Sequence, residues 1–176
     1  MHDDLDARVF LLLMAARMVG DYLYSWGGEE ADEGGFDCSG FVSVALIQTA
    51  RAWPKVYDGG RSTAQGLYDY YDRGPHPCPD IVALELLKPG CLVFYRRPRA
   101  KMHHVAIHAV NVPDIRLGDR RLEVGPVAFE SGGGGSKTDS PRAALCSSAG
   151  VRLTASDQHG AGVLWVAKDP FVRLGA

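Results

Sequence analysis

Up to Gly74 the apolar residues of this chain recur in helical patterns, and beyond "PHPCPD" they come in short runs rich in Val, Ile, Phe and Tyr. That change constrains the fold more than any other feature. In the first half, "DDLDARVFLLLMAAR" repeats Leu5, Val9, Leu12, Leu13 and Ala16 at helical spacing. Asp3, Asp4 and Asp6 complement the dipole at the start of this amphipathic helix. "SGFVSVALIQTARAW" is an uninterrupted apolar segment long enough for a buried helix. "RSTAQGLYDYYDRG" reads as a shorter helix, started by Ser62 or Thr63 and ended at Gly74. In the second half "CLVFYRR", "HHVAIHAV", "RRLEV", "VAFES" and "GVLWVAK" read as strands, bounded by Gly, Pro or Asp. Helices followed by strands are the signature of an α+β fold, here N-terminal helices packed on one side of a mainly antiparallel sheet. With 176 residues the expectation is a single domain spanning 1–176. "GGGGS" at Gly132 to Ser136 follows a strand inside that domain and is expected to be a mobile loop.

Charge and composition exclude several classes. The net charge is -2, and the one dense basic group, "RRPRAK" at Arg96 to Lys101, reads as a solvated loop between strands, so no nucleic-acid partner is expected. No run approaches the ~20 apolar residues of a membrane span. The apolar stretch Phe10 to Ala16 is preceded by acids where a signal peptide has bases, so none is expected. Cys38, Cys78, Cys91 and Cys146 are too few and too scattered for a disulfide scaffold or a zinc knuckle, and read as free thiols in a monomeric protein.

One of these thiols stands apart. In "YSWGGEEADEGGFDCSGF" a glycine-rich, acidic loop runs into Cys38, and the apolar helix follows at once. A helix start stabilises a thiolate through its unpaired N–H groups and positive dipole end. Asp37 and Ser39 are both capable N-cap residues, and the glycines let the backbone approach a ligand. A nucleophilic thiol wants a histidine within hydrogen-bond reach. His2, His76 and His159 fall in terminal or loop-like contexts and read as surface residues. In "HHVAIHAV", read as a strand, His104, Ala106 and His108 share one face. The rings of His104 and His108 would then stand about 13 Å apart, too far to share a metal. No metal site is expected.

Together these residues resemble the NlpC-type cell-wall peptidases, a family of the papain-like cysteine peptidases. The resemblance lies in "YSWGG", "GFDCSGFV", "GRSTAQG", "LKPGCLVFY" and "HVAIH", in the order and approximate spacing of that family, and covers roughly Leu5 to Glu130. It implies that Cys38 is the nucleophile and His104 the general base, with His103 the alternative if the register shifts by one. It implies that Tyr24 helps stabilise the oxyanion, and that Asp37, Ser39 and Trp26 contact the substrate, the first two at the free amine end of a stem peptide. The substrate implied is a peptidoglycan stem peptide, cut between D-glutamate and a diamino acid. A Cys–His pair cleaves an amide through a thioester and requires no cofactor.

Two positions depart from the family. A second histidine, or Asn, Gln or Glu, usually orients the imidazole from the next strand, and here that stretch has no histidine. Glu130 in "VAFES" is the expected substitute, because Val127 and Phe129 would face the core and leave Glu130 toward the site; Glu123 is the alternative. Cys91 stands where the family commonly has a structural aspartate. Three functions are compatible with the sequence: a peptidoglycan endopeptidase, an amidase or acyltransferase of the same thiol chemistry, and an inactive peptidoglycan-binding module. A wall-directed enzyme without a signal peptide is expected to be phage-borne, as an endolysin is, or delivered by a secretion system.

Overall fold

The structure is a computed structural model that describes residues 3–28, 34–112, 115–117, 120–122, 125–133, 144, 147–155 and 162–172. Three helices come first, α1 (Asp3–Arg17), α2 (Cys38–Ala50) and α3 (Ala64–Arg73). Strands β1 (Leu92–Arg96), β2 (His104–Val112), β3 (Ile115–Leu117), β4 (Arg120–Leu122), β5 (Gly125–Gly132), β6 (Gly150–Ala155) and β7 (Leu164–Lys168) follow. Five of them form one sheet in the order β6-β5-β2-β1-β7, every neighbour antiparallel, while β3 and β4 pair in a separate hairpin. This is the expected α+β fold.

Alternation along the strands divides the apolar residues between the two faces of the sheet. Leu92, Phe94, Val105, Ile107, Phe129 and Val166 join Leu11, Phe41, Leu46 and Leu67 of the helices in the main core. Val93, Tyr95, Ala106, Ala128 and Ala167 form a smaller cluster on the other face, under Leu87 and Ile81 of the connector that precedes β1. The helices therefore cover one face. No helix among the described residues is long and apolar enough to cross a membrane.

Two helices begin and end as their sequences dictate. Thr63 caps α3, its hydroxyl accepting from the Gly66 N–H at 3.1 Å, and Gly74 closes it. In α2, Phe41, Val42, Ala45 and Leu46 are fully buried, as its all-round apolar sequence requires.

Helix α1 corrects the sequence reading. Leu5, Val9 and Leu13, expected on the inner face, are 60%, 47% and 54% exposed, and the buried edge is Ala7, Arg8, Leu11 and Ala15. Small alanines let α1 lie close to α2, and Arg8 must face inward to reach Asp169 in a buried ion pair at 2.8 Å. The strand expectations hold for "CLVFYRR", "HHVAIHAV", "VAFES" and "GVLWVAK" and for the Arg120–Leu122 part of "RRLEV", whose last two residues lie outside the described residues; the run that forms β6, "GVRLTA", carries no expectation above. The loop expected at Gly132 to Ser136 starts later, because Gly132 still pairs with Gly150 at the end of β5; residues 134–136 lie outside the described residues.

Candidate active site

Cys38 opens α2, and its surroundings follow from local backbone chemistry. Asp37 is the N-cap in an extended conformation, and its Oδ1 accepts from the Gly40 N–H at 2.7 Å and from the Ser39 hydroxyl at 2.9 Å. The Cys38 N–H belongs to the first turn of the helix, where N–H groups have no intrahelical acceptor. The loop before it is laced to the segment Leu23 to Gly28. Phe36 N–H donates to Leu23 O at 3.0 Å, Asp37 N–H to Gly28 O at 3.0 Å, and Tyr24 bridges Phe36 in parallel. Gly35 has φ 146° with the Leu23 carbonyl where a Cβ would stand, so only glycine allows this approach. The lacing puts Tyr24, 5% exposed, beside the thiol. Burial, then the charges of Cys38 and Asp37, push the Tyr24 hydroxyl well above its ordinary range, which keeps it a hydrogen-bond donor.

His104 opens β2 opposite Tyr95 of β1, the two rings 5.6 Å apart. The segment entering the strand is pinned from two elements. Met102 N–H donates to Gln65 Oε1 of α3 at 2.8 Å, and His103 N–H donates to Tyr95 O at 3.0 Å. His104 Nε2 lies 2.7 Å from Glu130 Oε2. Burial works against the imidazolium, but hydrogen bonds and charge from Cys38 and Glu130 outweigh it and push His104 up to about 9. Since Nε2 faces the carboxylate, Nδ1 is the nitrogen left for the thiol. His103, the alternative base, is exposed, and its carbonyl oxygen lies 4.0 Å from Cys38 Sγ. Burial and the charges of His104 and Arg97 hold the His103 ring below its usual range.

Glu130 is 2% exposed on β5. Phe129 beside it faces the helices, as the alternation required. Glu130 Oε1 accepts from Arg152 Nη2 at 3.0 Å and Nε at 3.2 Å. The next residue, Ser131, donates its hydroxyl to Phe36 O at 2.7 Å, which ties the strand bearing Glu130 to the loop bearing Cys38. Glu123, the other carboxylate weighed, lies outside the described residues.

Thus Cys38, His104, Glu130 and Tyr24 converge, while Ser39 is buried at the cap and Trp26 stands 58% exposed in the adjoining turn. His108 takes no part: it is fully buried, neither ring nitrogen has a hydrogen-bond partner, and burial lowers its pKa so that it stays neutral. His76, expected on the surface, is half-buried with Nε2 3.5 Å from Asp58, because Tyr70 packs beside it; His2 and His159 lie outside the described residues. Cys78 and Cys91 are buried free thiols, each pushed up to about 11 by burial; Cys146 lies outside the described residues. Among the described residues, no group of three His, Cys, Asp or Glu side chains is arranged to hold a metal ion.

The residue that sequence reasoning missed is Arg152. It belongs to no recognisable motif, and only the alternation in "GVRLTA" beside "VAFES" hints that it faces Glu130.

Residues 21–128 match the family model described as NlpC/P60 family. The match includes Tyr24, Cys38 and His104, and stops short of Glu130 and Arg152. No curated protein matches the chain.

Proposed function

The chain belongs to the NlpC/P60 family, and on that premise we propose that it is a cysteine endopeptidase that cleaves peptidoglycan stem peptides between D-glutamate and a diamino acid. Membership supports a peptidoglycan-cleaving cysteine peptidase or amidase in general. The observation that supports thiol catalysis is the 2.7 Å approach of His104 Nε2 to Glu130 Oε2, with His104 also coupled to Cys38; the bond cut is inferred from the resemblance of the motifs.

In this reading the Cys38 thiolate attacks the amide carbonyl carbon. The Cys38 N–H and the Tyr24 hydroxyl stabilise the resulting oxyanion. His104, as imidazolium, gives its proton to the leaving amine as the C–N bond breaks, and a thioester remains. Neutral His104 then takes a proton from water, whose oxygen attacks the thioester carbon; the C–S bond breaks, the acid leaves, and the Cys38 thiolate and His104 imidazolium are restored. Glu130 stabilises the imidazolium and keeps the ring oriented. Asp37 Oδ1 is committed to the cap, so Oδ2 is the oxygen presented to the free amine of the stem, with Ser39 and Trp26 around it. On this reading the protein acts on the cell wall.

The test is digestion of muropeptides of several wall types, with the cut bond identified by mass spectrometry. The wild type should release a free D-glutamyl acid and a free amine, and Cys38→Ala should release neither. Cleavage by Cys38→Ala at the wild-type rate would refute the assignment, and wall binding without cleavage by the wild type would make the protein a binding module.

A further inference from the structure

Arg152 lies beyond the segment that matches the family, yet it completes the site. It faces Glu130 directly across β5 and β6. Directly opposed residues put their side chains on the same face, with Cβ atoms about 5 Å apart. Different oxygens of Glu130 meet Arg152 and His104: Oε1 takes both Arg152 Nε and Nη2, at 3.2 and 3.0 Å, and Oε2 faces His104 Nε2 at 2.7 Å. Gly132 leaves the space for this. A Cβ there would lie 2.7 Å from Glu130 Oε1 and 3.0 Å from Arg152 Nη2.

We propose that Arg152 is a positioning residue that keeps Glu130 ionised while His104 is neutral, and so fixes the imidazole tautomer needed to break the thioester. The inference rests on the reading of Cys38 and His104 given above. A carboxylate 2% exposed needs a countercharge, because burial alone drives it to take up a proton. His104 can supply that charge only while it is imidazolium. Once it has given its proton to the leaving amine, Glu130 loses that cation, and without the Arg152 guanidinium the balance shifts toward a protonated Glu130 that donates to Nε2. The ring proton would then sit on Nδ1, where water must be deprotonated. A guanidinium stays charged throughout the cycle. With Arg152 in place Glu130 remains an acceptor, Nε2 keeps its hydrogen, and Nδ1 is free to act as base. Arg152 is half exposed at 46%, so its own charge remains partly hydrated.

Among the described residues, ionisable groups near the pair include Cys38 and Asp37 at the start of α2, Tyr24 from the preceding loop, Tyr95 on β1 and His103 next to His104. None of these can replace a permanent cation, since the cysteine, aspartate and tyrosines become negative on ionising and His103 is held below its usual range.

Carboxyl and imidazole NMR on the full chain tests this without any substrate. Selective labelling should show Arg152→Gln raising the Glu130 carboxyl midpoint by about one pH unit or more, with Arg152→Lys restoring most of the shift. In the Cys38→Ala background, neutral His104 should carry its proton on Nε2 with Arg152 present, and lose that preference with Arg152→Gln. Muropeptide turnover should fall about tenfold in Arg152→Gln, most of it on the acid side of the pH profile. An unmoved or lowered Glu130 midpoint overturns the proposal, as does a lower melting temperature with both NMR signatures unchanged. If the wild type cleaves no muropeptide while these signatures appear, the enzymatic reading fails and the hold of Arg152 on Glu130 stands.

Discussion

Among the described residues, two kinds of charge network can be compared, and they differ in one component. The first is built on Arg8, 5% exposed, which donates to both oxygens of Asp169 at 2.9 and 2.8 Å, to Asp4 at 2.6 Å and to Pro89 O at 2.9 Å. Beside it Lys168, 1% exposed, bridges Asp72 at 3.0 Å, Asp80 at 2.8 Å and Cys78 O at 2.9 Å. Burial opposes both cations, but the carboxylates outweigh it and raise their pKa values, so neither titrates near neutrality. The second network is the site, where Arg152 and Glu130 make a comparable pair and His104 and Cys38 extend it. Fixed charges join α1, α3 and β7; a movable proton distinguishes the site. Pairing of charge gives structure, and it gives chemistry only where the alternating chain ends in groups that can exchange a proton at working pH.

That contrast predicts opposite outcomes for mutations in the two networks. Cys38→Ala should lower kcat/KM by about 10⁴-fold or more, since attack is lost outright, while chemical denaturation finds stability within about 1 kcal/mol of wild type. Arg8→Ala should do the reverse. It strands the Asp169 carboxylate and should cost about 3–5 kcal/mol of unfolding free energy, with kcat of the folded fraction within about twofold. A tenfold loss of kcat in fully folded Arg8→Ala would erase the distinction. Glu130→Gln should fall between, with kcat/KM down about a hundredfold in a stopped assay and a modest change in melting temperature, because half-exposed Arg152 can hydrate.

Residues were legible in the sequence when the forces acting on them were local. The cap at Asp37, the burial of α2 and the end of α3 at Gly74 each depend on a few neighbouring residues, and each could be read. Glu130 was legible because strand alternation sends it opposite Phe129. Helix α1 was read with the wrong face inward. Counting large apolar residues favours Leu5, Val9 and Leu13, whereas the fold chooses Ala7 and Ala15 for close approach and Arg8 for a partner 161 positions away. Arg152 was invisible for the same reason: its meaning comes from the register of β6 on β5, which no short stretch encodes.

The smallest expected effect separates the networks by pH. His104 has a folded pKa pushed up to about 9 against 6.5 for an ordinary histidine, so the folded state binds its proton more tightly than the unfolded state does. The stability this contributes is fully present below about 6.5 and is lost as pH rises toward about 9. The unfolding free energy from chemical denaturation should therefore fall across that window by an amount on the order of 1–2 kcal/mol. Arg8 and Lys168 add nothing there, because their raised values lie above it. Cys78 and Cys91 are raised from 9.0 to about 11, so their loss of stability begins only at the upper edge and continues beyond it. His103 and His108 are lowered and act in the opposite direction, below 6.5. Glu130→Gln removes one of the two groups that raise His104, so the fall between pH 6.5 and 9 should be shallower than in wild type. Equal slopes in the two proteins would mean that the buried carboxylate contributes nothing to imidazolium stability, and the site would then resemble the fixed network more closely than its geometry implies.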